Sequence, residues 1–526
     1  MFDSPASDDQ EIITLQLGPL SNQVGVHFWA LQAGYPSSNE KFTDSSCNRP
    51  VQPFNLSTLL EDLNTSWIPR TLAIDLSSSI DHGFVPTVAS WSSPSNGLLW
   101  DGDVDCVMRA NKDTFDPELK SKWSACLSSP ARKLWLEHDI ICTLPDQFPT
   151  ICDAVENNRL TISSFTQGID LLSPGKPFSD EVENRLRRLA ERCNRPSGIQ
   201  LVVDIGDAFS GMASRLLEHI ADELPKRSVL ALPIYDSSLI SKLNPKCQYL
   251  VRANEMALLV QLEPLTASIS NGAWLPLDLS CLSLRPNACL NPSVVAAAWD
   301  TMTSSIRSID AYGGCSLDQF IIRSQFLHGR RMLSGTIGYT TEAPNDFAMN
   351  WTSVNPYCVT TGRTHRNPGP SLWRQIVLRG VPTDPVGNQV AVEASTRNEQ
   401  NQPKVLGVNA HECVRGLSLP PLQPGAQLEF ISSLANYSLK RPLNSQSENA
   451  WCQQPPSISL ISILDAPGDS SMEAVGLQQL VEQLKTSSSR PPFEDIEQDS
   501  WRDYMELAQT YLVDAYSGYN TGSRSS

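Results

Sequence analysis

Two glycine-bearing turns hold the residues whose types and spacing suit phosphate chemistry. The first lies in EIITLQLGPLSNQVGVHFWALQ, residues 11–32, where an apolar strand runs into Gly18 and then into an amphipathic helix carrying Asn22. The second lies in GIQLVVDIGDAFSGM, residues 198–212, where a strand apolar on both faces meets Gly206, Asp207, Ser210 and Gly211 ahead of another helix. A turn cradles phosphate because successive backbone N–H groups converge, glycine permits close approach, and a helix N-terminus favours negative charge. Both turns have that layout, and both carry residues that work against it. Pro19 has no N–H to donate, and Leu20 stands where a polar residue or glycine is wanted. Asp207 puts a carboxylate into the second turn. Unscreened and about 6 Å from a phosphate charge, it would cost roughly 3 kcal/mol at an effective dielectric near 20, a penalty that magnesium would offset.

Other chemistry is sparse. The sequence has no G-x-S-x-G elbow, no H-E-x-x-H and no G-x-x-x-x-G-K-[ST]. His27, between helical neighbours and next to Phe28 and Trp29, reads as a packed or surface histidine rather than a base. Asp204 and Asp207 form a carboxylate pair at a strand end, where open sheets bind ligands. Such a pair suits a metal ion, but its more ordinary uses are solvation or helix capping. Asp300, in VVAAAWDTM, reads as a solvent-facing helical aspartate, and His411 with Cys413 lacks partners for a ligand set.

The elements that position these residues are legible in part. A strand from Glu11 to Leu17 precedes a helix with Val24, Phe28 and Leu31 on one face and Ser21 or Asn22 as its cap. RTLAIDL, residues 70–76, is a second strand, set between polar stretches at 33–66 and 77–102 that read as loops; a helix or two is expected over 116–138. Ser179, Asp180 and Glu181 suit a helix start, and Val182, Leu186, Leu189 and Cys193 mark its buried face. GIQLVVDI, the turn at Gly206–Gly211, a helix burying Met212, Leu216, Leu217, Ile220 and Leu224, a stop at Pro225 and SVLALPIY make a strand–turn–helix–strand unit, which calls for an open parallel sheet. Further on, RQIVLRGV is strand-like, 383–404 and 443–458 look like loops, and SSSRPPFED reads as a linker. A last helix near 498–516 carries Trp501, Tyr504, Met505 and Tyr511, an aromatic stripe for docking on the main body or a partner.

The whole-chain numbers bound the function. At 526 residues with 40% hydrophobic content, more than one packed core is expected. A net charge of −17 argues against nucleic acid or anionic lipid as a broad electrostatic partner. Thirteen cysteines without CxxC pairing fit reduced, buried thiols in the cytosol. No apolar run approaches the ~18 residues of a membrane span. The acidic start MFDSPASDDQE is unlike an Arg-rich matrix-targeting presequence, so a soluble intracellular protein is expected.

The two turns together resemble tubulin. Gln16, Gly18, Asn22, Gln23 and Gly25 keep the register of its Q-A-G-Q-C-G-N-Q-I-G opening, and Arg188, Leu189, Ala190, Cys193, Gly198, Gln200, Leu201, Ser210, Gly211 and Met212 keep that of the segment carrying its G-G-G-T-G-S-G phosphate loop. Here that loop is one residue shorter. The departures resemble the Misato family, with TLQLG at Thr14–Gly18, SN at Ser21–Asn22, HFW at His27–Trp29, Asp207 followed by FSG at Phe209–Gly211, and VLRG at Val377–Gly380. The motifs cover roughly a quarter of the chain, jointly specific and singly weak, with little of the pattern between 33 and 115.

The resemblance implies an α/β fold: a tubulin-like nucleotide-domain core with a parallel sheet, then a second α+β region and a C-terminal helical tail. The expected divisions are 10–115 and 116–310 for the tubulin-like segments, 311–442 for the second region, and 443–526 for linker and tail. It makes Gly18, Asn22, Gly206, Asp207, Ser210 and Gly211 vestigial nucleotide loops, with no catalytic residue, no metal and no cofactor, GTP being the ligand in question. Tubulins complete hydrolysis with an acidic residue from a G-x-L-N-x-D-L segment of the next subunit; Asp300 occupies the nearest counterpart, without its Gly and Asn. The implied function is non-enzymatic: partitioning of mitochondria and mitochondrial DNA inheritance, from the cytosolic face and the cytoplasm, with mitochondrial outer-surface or cytoskeletal partners. Two alternatives accompany it, a GTP-dependent filament former and an adaptor for tubulin or chaperonin assembly in spindle formation.

Overall fold

The computed structural model describes residues 10–34, 54–63, 67–79, 135, 138–144, 148–156, 159–268, 271–280, 292–308, 314–325, 331–340, 350–357, 371–379, 413–419, 459–467, 470–487, 491–493 and 496–514. Among the described residues nine strands come first: β1 (Glu11–Leu17), β2 (Leu60–Asp62), β3 (Trp67–Pro69), β4 (Thr71–Leu76), β5 (Ile141–Leu144), β6 (Pro196–Asp204), β7 (Ser228–Tyr235), β8 (Gly272–Trp274) and β9 (Leu277–Asp278). Seven of them form one sheet in the order β5-β4-β1-β6-β7-β8, with β9 beside β7. Every pairing in it is parallel. Parallel strands need crossovers and are covered on both faces, which is why β1, β4 and β7 are buried along their whole length. β2 and β3 pair antiparallel on their own, inside and beside the stretch read as loop at 33–66.

The crossovers include α1 (Pro19–Gly34), α2 (Ile151–Glu156), α3 (Phe165–Leu171), α4 (Pro177–Glu191), α5 (Ala208–Glu223), α6 (Ser237–Ile240), α7 (Pro245–Ser268), α8 (Pro292–Met302) and α9 (Leu317–Gln325). Pro19, Pro177, Pro245 and Pro292 each stand at the first helical residue. Proline fits there because the first N–H of a helix has no internal partner and its fixed φ is already helical. This corrects two expected boundaries: α1 starts at Pro19 rather than behind a Ser21 or Asn22 cap, and α4 starts at Pro177 rather than after Ser179. The anticipated inner face of α5 is buried at Met212, Leu216, Leu217 and Ile220, while Leu224 is only half-buried at the helix end.

A second sheet of five strands follows, β10 (Ser334–Thr340), β11 (Asn350–Ser353), β12 (Ser371–Arg379), β13 (Cys413–Leu419) and β14 (Ser459–Pro467), in the order β11-β10-β14-β12-β13. It is antiparallel except for the β12–β13 pair. The described residues end with α10 (Ser470–Ser487) and α11 (Gln498–Ala508), the latter running into a π-helical turn at Gln509–Asp514. Helix α11 docks on the main body: the Gln261 amide donates to the Tyr504 hydroxyl at 2.6 Å, and Phe493 meets Trp501 edge-on and lies over Phe165. SSSRPPFED is therefore not a free linker at Phe493, which is buried. His411, nearly all of 116–138, and the stretches 383–404 and 443–458 lie outside the described residues. Among the described residues no helix is long and apolar enough to cross a membrane, and Cys142, Cys152, Cys193, Cys247 and Cys315 are free thiols.

Candidate functional site

The two turns sit side by side at the carboxyl edge of the sheet, because β1 and β6 pair from Glu11 to Leu17. A helix N-terminus presents N–H groups that need outside acceptors. In α1 each of them is accounted for. Pro19 has none. Leu20 and Ser21 donate their backbone N–H groups to the Asp204 carboxylate at 2.9 and 2.7 Å, and the Ser21 hydroxyl adds a bond of 2.6 Å. Asn22 N–H reaches the Gly18 carbonyl at 2.9 Å, while its side-chain amide donates to Ile74 O and Asp75 Oδ2. Gly18 has φ +102°, and a methyl group there would run into Asp204, so glycine is required twice over.

The first turn of α5 is likewise filled. Ala208 N–H goes to the Ser163 hydroxyl at 3.1 Å, Phe209 N–H to Asp207 Oδ1 at 3.2 Å, and Ser210 N–H to the Asp207 carbonyl at 3.1 Å. The second Asp207 oxygen accepts Ile151 N–H, from the start of α2, at 3.4 Å. Ser210 turns its hydroxyl back onto the Asp207 carbonyl. Gly211 faces neither turn nor ligand. It lets α3 cross α5 backbone to backbone: a methyl on Gly211 would overlap the Phe165 carbonyl, and one on Gly168 the Ala208 carbonyl. Asn254 of α7 clamps the assembly, accepting Phe165 N–H at 2.8 Å and donating to Ser163 O at 3.0 Å and to the Gly206 carbonyl at 2.9 Å.

Asp75 in β4, Asp204 closing β6, Asp236 just after β7 and Asp278 closing β9 thus line the edge where ligands of open sheets bind, and all are buried, as is Asp207. Asp236 caps α6 through Ser238 and Leu239, and Asp278 accepts from Ser237 and Ser280. Burial, and then the charge of Asp207, push Asp204 well above the usual carboxylate range despite its bonds from Ser21 and Leu20. Burial pushes Asp207 up to about 7, opposed by the Phe209 and Ile151 N–H groups and reinforced by Asp153 and Asp75. The pair is capping, as one sequence reading had it, but not solvated. The N–H groups from which a phosphate would be held in these turns, those of Leu20, Ser21, Asn22, Ala208, Phe209 and Ser210, are bonded within the chain, and carboxylates stand beside them.

Asp300 is a correction. It is fully buried, not solvent-facing, and pairs with Arg307 at 2.8 Å while accepting from the Gln32 amide at 2.6 Å. Arg307 also donates to the Gln32 carbonyl oxygen of the side chain and lies over the rings of Phe28 and Phe54, and Phe28 stacks on Trp299 at 3.6 Å. An apolar helix flanked by α1 on one side and β14 on the other leaves no surface for its aspartate. His27 is half-buried, and burial lowers its pKa to about 4, so it is neutral at physiological pH. Among the described residues no group of three or more His, Cys, Asp or Glu is placed to hold a metal ion. Sequence reasoning missed Asn254 and Ser163, polar residues in segments far along the chain from either turn, and no local signal marks them.

A seven-stranded parallel sheet with paired strand–turn–helix units at its centre is tubulin-like, and residues 145–306 match the tubulin domain. Residues 10–119 match the Misato Segment II tubulin-like domain, a match that takes in the stretch from 33 to 115 where motifs are thin. Over those residues the chain is similar to Misato-type tubulin-like proteins. It is 28% identical over 247 residues to Protein DML1 of Gibberella zeae and 25% identical over 240 residues to Protein dml1 of Aspergillus niger, in each case across 44% of this chain and 48% of the relative. To Protein misato of Drosophila melanogaster it is 24% identical over 271 residues, 43% of this chain and 45% of that protein. The matched region thus spans about half the length of these curated relatives.

Proposed function

We propose that this chain is a nucleotide-independent, non-enzymatic tubulin-like factor that serves the partitioning of mitochondria and the inheritance of mitochondrial DNA from the cytosolic side. The observation that carries the first half is the filling of both helix N-termini by Asp204 and Asp207, which leaves Gly18, Asn22, Gly206, Ser210 and Gly211 as structural remnants of nucleotide loops. The burial of Asp300 supports the same reading, because an acid locked to Arg307 inside the molecule has no reach to a neighbouring subunit. The second half rests on the resemblance to the Misato and DML1 proteins. Its partners are mitochondrial outer-surface or cytoskeletal proteins.

Denaturing the native protein and chromatographing what it releases tests the first half: no stoichiometric GTP or GDP is expected, and no uptake of added GTP with magnesium. Bound guanine nucleotide together with sedimentable polymer would favour a filament-forming GTPase instead. Protease treatment of intact mitochondria tests the second half, since a tagged chain on the cytosolic face is cleaved and a protected one is not. Tubulin or chaperonin subunits in a pull-down, with no organelle enrichment, would turn the reading to an assembly adaptor.

A further inference from the structure

The two central strands are chemically lopsided. On one face β1 and β6 present Ile13, Leu15, Leu17, Ile199, Leu201 and Val203, all buried and all apolar. On the other, beneath α1, they present Thr14, Gln16, Gln200 and Asp204 among Ile12 and Val202, equally buried. Thr14 stands directly opposite Gln200, and Gln16 opposite Val202, so the polar groups form one contiguous block. Asp204 spends its carboxylate on α1. The hydroxyl of Thr14 and both amide atoms of Gln16 and of Gln200 have no hydrogen-bond partner among the described residues. Above them the helix contributes Gly25, which lies against the Gln16 amide.

Buried polar groups are paired, with protein or with ordered water, because leaving them unmade forfeits a free energy that is a large part of a domain's whole stability. Leaving this entire block dry is therefore not tolerable. Thr71, opposite Thr14 on β4, gives its hydroxyl proton to the Thr14 carbonyl; Ala73 and Leu230, opposite Gln16 and Gln200, are apolar; and α1 lays Gly25 on the Gln16 amide, so no described protein group supplies the missing bonds. We infer that the seam between β1, β6 and α1 is a binding site for structural water, whose molecules donate to the Gln16 and Gln200 carbonyl oxygens and accept from their NH₂ groups and from Thr14. The site is independent of whether either turn takes a nucleotide.

Nuclear magnetic resonance on the full chain, isotope-labelled at glutamine side-chain amides, tests it. The peaks are assigned by their loss in Gln16→Met and Gln200→Met. The expected result is cross-relaxation of both NH₂ groups with water molecules that stay bound longer than the protein tumbles. Two amides that cross-relax with each other and not with water, or a folded chain with no water signal at either, overturns the inference. Should the methionine variants fail to fold, a crystal structure fine enough to place solvent decides: density bridging Thr14, Gln16 and Gln200 supports the site, and a closed, dry seam refutes it.

Discussion

Replacing Asp207 with Asn separates the shape of the cap from its charge. Asp207 is 1% exposed, and its folded pKa is about 7, against about 3.9 for an aspartate in an unfolded chain. The folded state holds the proton more tightly than the unfolded state does. Stability from this group is therefore fully present below about pH 4 and is lost as pH rises through about 7. A gap of about 3 pH units corresponds to roughly 4 kcal/mol, at about 1.4 kcal/mol per unit. Asparagine keeps the acceptor for Phe209 N–H and gives up only the longer bond from Ile151, and it is as good an N-cap as aspartate.

Asp207→Asn should accordingly come within about 0.5 kcal/mol of the parent chain near pH 4, exceed it by about 1.5 kcal/mol near pH 5, and exceed it by about 4 kcal/mol near pH 8. Urea unfolding midpoints followed across that range read the difference directly. Asp499→Asn serves as the control, since that side chain is 86% exposed and should shift nothing. If Asp207→Asn and the parent chain lose stability in parallel as pH rises, the carboxyl is ionised throughout and the account of its burial fails.

Three further outcomes follow from the same geometry. Asp204→Gly strips the acceptors from Leu20 N–H, Ser21 N–H and the Ser21 hydroxyl; thermal melts should show a loss of about 3 kcal/mol, partly restored by formate or acetate in proportion to its binding. Gly211→Ala drives a methyl into the Phe165 carbonyl, so a loss of about 1–3 kcal/mol is expected together with faster hydrogen exchange in α3. Arg307→Met leaves Asp300 buried without its cation, which should destabilise by about 3–5 kcal/mol in urea titrations, most of it recovered by adding Asp300→Leu.

Legibility followed locality. The unit from β6 through α5 to β7 could be read because apolar runs, a turn and a periodic helix are all local signals. The starts of α1 and α4 lie ahead of the caps their sequences suggest, because a proline at the first helical position preforms the turn. Asp300 misled because charge on a helix ordinarily means solvent, while its partner Arg307 and its neighbour Gln32 declare themselves only in three dimensions. The same holds for Asp204: sequence places it at a strand end, but only strand order brings it to the start of α1.

A tubulin-like sheet creates an electrostatic requirement before it creates a function. Its central strands deliver two helix N-termini to one edge, and those buried donors must meet negative charge or acceptors. A bound phosphate can meet that requirement and, by leaving, make the turns responsive. Here Asp204 and Asp207, part of the chain itself, meet it as hydrogen-bond acceptors, and the α3–α5 crossing and the Asn254 clamp hold the second turn beneath them. An acceptor that is part of the chain cannot dissociate, so on the proposed reading these turns have no ligand-bound and ligand-free states to distinguish. On that reading the fold is kept as a scaffold, and the residues that select partners are to be sought on its outer helices and its second sheet.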